Sequence, residues 1–136
     1  MPRPFAKAVE KLRAAELRPT RQRVALAKLL LDGENRHVTA EQLHNEAMAA
    51  GIDVSVATIY NTLNQFTASG LLREVTVENG RSYFDTNTTN HHHFFDVDSG
   101  TLTDIPNGDI SIGALPPLPK GTRMESVELV IKVTKS

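Results

Sequence analysis

The residues best equipped to do chemistry stand together at Asn90-His91-His92-His93-Phe94-Phe95, where three of the chain's five histidines adjoin two of its five phenylalanines. Imidazole nitrogens bind borderline divalent metals and haem iron. On a strand, residues two apart share a face, so His91 and His93 point one way and His92 the other. A solvated polar strand start after a loop is the ordinary alternative for such a triplet. An expression tag is not expected, because the run is internal and stops at three. The chain has no cysteine, which excludes disulfides, thiolate zinc sites, a cysteine nucleophile and cysteine-ligated haem.

These ligands sit at a junction. The 136 residues fit one domain or two very small ones, and the second half alone is too short to bury much core, so it is expected to share one with a partner chain. No apolar run approaches the ~18 residues of a membrane span, and the N-terminus lacks a signal-peptide pattern, so a cytoplasmic protein is expected. The net charge of −1 hides an asymmetry: residues 1–36 carry nine Lys/Arg against four Asp/Glu, and residues 37–136 carry six against twelve. A basic N-terminal end on a mildly acidic body suits an anionic partner for that end, although solubility alone explains many such patterns.

Four helices are predicted before the histidines. Phe5, Val9 and Leu12 mark one face of the first. Thr20 is an N-cap for the second, which runs through Leu31 to Asp32-Gly33. Arg18, Arg21 and Arg23 surround its start, where backbone N–H groups add to a phosphate site; plain surface charge is the alternative. Thr39-Ala40-Glu41-Gln42 has capping-box spacing and opens a third helix with Leu43, Ala47 and Ala50 inward and Gly51 at its end. Ser55 caps the fourth, with Ile59, Leu63 and Phe66 buried and Gly70 closing it. Its other face presents Ala57, Thr58, Tyr60, Asn61 and Asn64. These are uncharged and rich in hydrogen-bonding groups, suited to base edges in a major groove.

Past Leu72 the period becomes that of strands. Arg73–Val77 and Ser82–Asp85 flank Asn79-Gly80, a strong hairpin signal. Helices with a helix-turn-helix pair followed by a hairpin form a winged helix, with Arg81 at the wing tip directed at DNA. Further strands are predicted over 91–97, 101–105 and 127–133, while Pro116, Pro117 and Pro119 interrupt any helix between them. The expected organisation is α+β: a winged-helix DNA-binding domain over 1–85, a hinge at 86–90, and a small three-stranded antiparallel dimerisation and sensing domain over 91–136. Pairing with a second copy would cover its edges and apolar face.

Taken together, Leu17-Arg-Pro-Thr-Arg-Gln-Arg23, Thr39-Ala-Glu-Gln-Leu43, Ser55-Val-Ala-Thr-Ile-Tyr-Asn-Thr-Leu63, Ser69-Gly-Leu-Leu72 and His91-His-His93 resemble the ferric uptake regulator family of bacterial metal-responsive repressors, over nearly the whole chain. Within it the chain is most similar to the iron response regulators, described as responding to haem. The resemblance implies a homodimer on AT-rich, palindrome-like double-stranded operator DNA. It implies a metal site at His37, Asp85, His91, His93 and Asp104, and haem binding through His91, His92 and His93. Three imidazoles and two carboxylates suit Fe2+, Mn2+ or Zn2+. Ligands drawn from both halves would let occupancy set the angle between them. Many relatives hold a structural zinc on two Cys-x-x-Cys pairs; here Asp96 and Ser99 occupy the first pair's positions, the second pair is absent, and no structural four-cysteine zinc forms by that route. A downstream histidine of a further metal site falls in Glu125-Ser126-Val127 and is missing too.

Two expectations follow for the ligand. Axial haem nitrogens lie about 4 Å apart across the iron, whereas His91 and His93 on one strand are roughly 6–7 Å apart. Haem would therefore take one histidine of the triplet and a second ligand from elsewhere, or pull the strand start out of its sheet. A plain Mn2+ or Fe2+ sensor is the competing reading. An enzyme using His91, His93 and a carboxylate as a non-haem iron triad would need an enclosed substrate pocket, which so short a strand unit does not offer, so no enzyme is expected.

Overall fold

The computed structural model describes residues 5–89 and 91–136, so Asn90 lies outside it. The chain divides into two units, Met1–Thr88 and Thr89–Ser136.

In the first unit, three helices begin on side chains that accept a backbone N–H. Thr20 Oγ1 accepts from Arg23 N at the start of α2 (Arg21–Leu31). Thr39 and Gln42 form a reciprocal capping box at α3 (Ala40–Ala49). Ser55 Oγ accepts from Thr58 N at α4 (Val56–Ala68). Each bond satisfies a donor that the helix cannot pair internally. Helix α1 (Ala6–Ala14) has no side-chain cap. Its buried face is Ala8 and Leu12; Phe5, expected inward, is 47% exposed, with the Lys28 ammonium 5.9 Å above its ring. Ala50, also expected inward, is exposed because it is the C-cap of α3, where the chain is already turning.

The ends of α1 and α4 share one geometry. Leu71 N bonds back to Phe66 O at 2.9 Å and Gly70 takes φ 86°; Leu17 N bonds to Leu12 O at 2.8 Å and Glu16 takes φ 61°. This left-handed turn suits glycine and strains a residue with a Cβ. The core that the helices enclose is built on Leu12, Leu26, Leu30, Leu43, Leu63 and Phe66, all essentially inaccessible.

A sheet in the order β1-β3-β2 completes this unit, from β1 (His37–Val38), β2 (Arg73–Thr76) and β3 (Ser82–Asp85), all antiparallel. The connection between β2 and β3 is a single 3-10 turn, Glu78–Gly80, closed by Val77 N to Arg81 O at 2.8 Å. Helices and wing match the winged helix expected.

The second unit is a sheet in the order β5-β4-β6, from β4 (His92–Asp96), β5 (Leu102–Ile105) and β6 (Val130–Val133). It differs from the all-antiparallel sheet expected: β6 runs parallel to β4, with His93 opposite Val130. Parallel neighbours need a long connection, and the stretch between β5 and β6 supplies it. Strand β4 starts at His92 and ends at Asp96, a residue inside the expected limits at each end, and β6 starts three residues late. The core of this unit holds Phe95, Leu102 and Ile105, while Phe94, Leu129, Ile131 and Val133 are 37–41% exposed. No helix among the described residues is long and apolar enough to cross a membrane.

Candidate metal centre and nucleic-acid interface

In the second unit, strand pairing brings the ligand types together. The β4–β5 register sets His93 opposite Asp104. Asp104 Oδ1 lies 3.1 Å from His91 Nε2 and 3.3 Å from His93 Nε2, and the two rings stand 4.5 Å apart, centre to centre. The remaining ring nitrogens have neighbours of their own. His91 Nδ1 lies 2.6 Å from the Thr89 carbonyl oxygen, which can only accept, so Nδ1 donates there. His93 Nδ1 faces Glu128 Oε1 at 3.5 Å. A carboxylate or carbonyl on one nitrogen of an imidazole fixes the tautomer that presents the other nitrogen to a metal.

His92 behaves differently. Its Nδ1 accepts from Leu129 N at 3.0 Å, and His93 N donates to Leu129 O at 3.0 Å. The middle histidine therefore spends its Nδ1 lone pair tying β4 to the approach of β6. All three histidines are at most 5% exposed, so the solvated strand start considered above is not what forms. The burial of Phe95 and exposure of Phe94 follow from strand alternation.

In the first unit the other two expected ligands are also cross-strand partners. β1 pairs His37 with Asp85, and His37 Nε2 lies 3.1 Å from Asp85 Oδ2. Asp85 is 1% exposed, and its Oδ1 accepts from Asn87 N at 2.9 Å. Thr86 extends the pairing beyond the strand ends: its N donates to Arg36 O at 3.0 Å and its Oγ1 accepts from Arg36 N at 2.8 Å. Arg36 in turn forms a two-pronged salt bridge with Glu46 of α3. His37 is thus held by a strand only two residues long because both flanks are anchored.

The expected DNA-facing residues lie on the surface of the first unit. Ala57, Tyr60, Asn61 and Asn64 are exposed along α4 and Thr58 partly so, while Ile59, Thr62, Leu63 and Phe66 fill the opposite face. Ser55 is exposed, but its hydroxyl is engaged in capping and 3.0 Å from Thr58 Oγ1. Arg18, Arg21 and Arg81 are exposed. Arg23 is committed to the fold: Nε and Nη2 donate to Gln65 Oε1 at 3.3 and 3.1 Å, and Nη1 donates to Arg18 O at 3.1 Å. It fastens the start of α2 to α4 and fixes the backbone that presents Arg18.

Glu128 was not singled out by the sequence. Its pattern there is that of an outward residue on a terminal strand, and only the parallel register, with residues 93 and 130 opposite one another, brings it to His93.

The family model for the ferric uptake regulator family matches residues 14–131. The chain is 36% identical over 100 residues to the ferric uptake regulation protein of Pseudomonas aeruginosa, covering 73% of this chain and 75% of that one. It is 31% identical over 100 residues to the Escherichia coli protein of the same name, covering 73% and 68%. Among solved structures, the ferric uptake regulator from Pseudomonas aeruginosa with manganese superposes with a TM-score of 0.73 at 29% identity, over 94% of this chain and 97% of that one. The zinc-bound manganese uptake regulator shares the fold at 22% identity, with a TM-score of 0.65 over 95% and 99%. The chain belongs to the ferric uptake regulator family, whose members are metal-responsive transcription regulators that bind DNA as dimers.

Proposed function

We propose that this chain represses or activates transcription as a homodimer on operator DNA, and that a divalent ion held by His91, His93 and Asp104, completed by His37 and Asp85, changes its DNA affinity. The observation carrying this reading is the convergence of two imidazole Nε2 atoms on Asp104, each imidazole having a carbonyl or carboxylate at its other nitrogen. The ligand atoms of His91, His93 and Asp104 already lie within 4.8 Å of one another, and two neutral imidazoles with a carboxylate fit Mn2+, Fe2+ or Zn2+ rather than a soft ion. When bound, the ion would supply the positive charge that draws imidazole lone pairs and carboxylate oxygens together.

The chain's own residues do the remainder. Asp85 and His37 are fixed to each other and, through Arg36 and Thr86, to the sheet that carries the wing. His93 and Asp104 are fixed by the β4–β5 register. A ligand that needs donors from both units favours one arrangement of those units over others, which is the differential contact that a switch requires. On the DNA side, Tyr60, Asn61 and Asn64 meet bases, with Ala57 and Thr58 toward thymine methyls and Ser55 at the helix start, while Arg18, Arg21 and Arg81 meet phosphates.

Haem is the finer reading that the iron response regulators suggest. To bind it, an imidazole among His91, His92 and His93 must give up a present partner, and for His92 that means releasing Leu129 and loosening β6. The depth of burial of all three favours a small ion. The test is a DNA titration with and without Mn2+, repeated with haem. Arg21→Ala and Arg81→Ala should weaken binding to every sequence and flatten its salt dependence, and Tyr60→Ala should weaken preferred DNA far more than random DNA. Equal affinity for all DNAs in the presence and absence of both ligands would overturn the proposal.

A further inference from the structure

Glu41 places a carboxylate where the DNA-reading surface would be expected to avoid negative charge. A groove of about 470 Å³ lies between α4 and the wing, lined by Glu41, Tyr60, Asn64, Glu74, Arg81 and Tyr83 among others. Glu41, in the first turn of α3, accepts the hydroxyl proton of Tyr60 at 2.8 Å, from the first turns of α4. Tyr60 is 41% exposed, so its ring and oxygen remain open to a partner. The tyrosine hydroxyl and then a backbone hydrogen bond, with a smaller contribution from Arg81, keep the Glu41 carboxyl below the usual carboxylate range, so it is ionised at neutral pH. The same bond, followed by partial desolvation and Glu41's charge, raises the phenol above the usual tyrosine range.

An ionised carboxylate only accepts hydrogen bonds, and a phenol has a single proton to give. With that proton directed to Glu41 in the hydrogen bond, Tyr60 Oη offers DNA lone pairs and nothing else. In the major groove the donors are the exocyclic amino groups, N6 of adenine and N4 of cytosine, whereas N7, O6 and O4 are acceptors. We propose that Glu41 is a specificity-determining residue: by accepting the hydrogen bond of the Tyr60 hydroxyl it makes the tyrosine an acceptor toward DNA, so that Tyr60 selects a base bearing an exocyclic amino group. The proposal rests on the reading in which α4 enters the major groove. Glu41 does not itself touch the base; it positions and polarises the residue that does.

The experiment uses the full chain with Mn2+ and a preferred duplex recovered by selection from random-sequence DNA. Each adenine of that duplex is replaced in turn by purine, which lacks the N6 amino group, and each cytosine by 2-pyrimidinone, which lacks the N4 amino group. The wild type should show one such position in each half-site where loss of the amino group weakens binding about 5–150-fold, the range of one good base contact. Whether purine or 2-pyrimidinone is the sensitive substitution identifies the base. Tyr60→Phe and Glu41→Ala should both lose that sensitivity. In parallel, protein labelled with ¹³Cζ-tyrosine reports both tyrosines, with Tyr60 assigned by its disappearance in Tyr60→Phe; the Tyr60 phenol should titrate at lower pH in Glu41→Ala than in the wild type. If Glu41→Ala keeps the wild-type sensitivity while Tyr60→Phe loses it, or if Tyr60 titrates alike with and without Glu41, the proposal is overturned and the groove reading stands. If Tyr60→Phe itself keeps the wild-type sensitivity, the placement of Tyr60 against the bases falls, and the proposal with it.

Discussion

Leu63 and Asn64 are neighbours on α4 with opposite surroundings, and truncating each should separate folding from recognition. Leu63 is fully inaccessible within the core of the first unit. Replacing it with alanine removes three carbons, about 2.4 kcal/mol of transfer free energy at ~0.8 kcal/mol per methylene, and the cavity term brings the cost to about 3–4 kcal/mol. At roughly 4–8 °C per kcal/mol for a domain of this size, the midpoint of thermal unfolding should fall by about 12–30 °C. Asn64 is exposed and lines the groove between helix and wing. Alanine there removes no buried surface and favours helix by a few tenths of a kcal/mol, so stability should change by less than about 0.5 kcal/mol. If its amide meets a base, DNA affinity should drop by about 1–3 kcal/mol for preferred sequences alone. Circular dichroism melts give the first quantity. Titration of fluorescent duplex DNA at low temperature, corrected for folded fraction, gives the second. Should Asn64→Ala melt as early as Leu63→Ala, or should folded Leu63→Ala lose DNA affinity as Asn64→Ala does, the division of this helix into a core face and a reading face is wrong.

Three other consequences are open to direct measurement. Glu16→Gly should stabilise the first unit by about 0.5–1 kcal/mol in urea unfolding, because glycine relieves the left-handed turn at the end of α1; no gain would mean the turn is unstrained. Glu128→Ala should weaken Mn2+ binding about 10–100-fold by calorimetry, as loss of an outer carboxylate on a ligand histidine does; unchanged affinity would remove Glu128 from the centre. Asp32 is held below the ordinary carboxylate range by the hydrogen bond and charge of Lys28, so its contribution is present at neutral pH and lost as pH falls through its folded value. Asp32→Asn should accordingly melt slightly earlier than wild type near neutrality and alike in strong acid, and a difference that persists in acid would assign the effect to packing.

What the sequence made legible was local. Thr20, Thr39 and Ser55 announce helix starts because a cap and its partner lie three residues apart, and Ile59, Leu63 and Phe66 announce a core face because helical period acts within a few turns. The common orientation of His91 and His93 followed from strand geometry alone. What escaped was set by distant pairing. Glu128 reaches His93 only through a parallel register across 37 residues, and His92 becomes a strut for β6 by the same route. Arg23, read as a phosphate ligand, is drawn to Gln65 on a helix 42 residues away. Phe5 fits the helical period yet lies outside, because periodicity finds a face without saying how far along the helix burial continues.

The central claim is that occupancy of the histidine–aspartate centre controls DNA affinity. Its most direct test is a DNA titration of the wild type and of the His91→Ala/His93→Ala double variant, each chelated, with Mn2+, and with haem. The variant's ligand-free affinity should match the wild type's, since α4 lies in the other unit. The wild type should change affinity by roughly 5–150-fold on Mn2+ binding, the range of a coupling of about 1–3 kcal/mol, and the double variant should not respond. A double variant that responds to Mn2+ as the wild type does would contradict the account, and a wild type that responds to haem alone would transfer the switch from the small ion to the porphyrin.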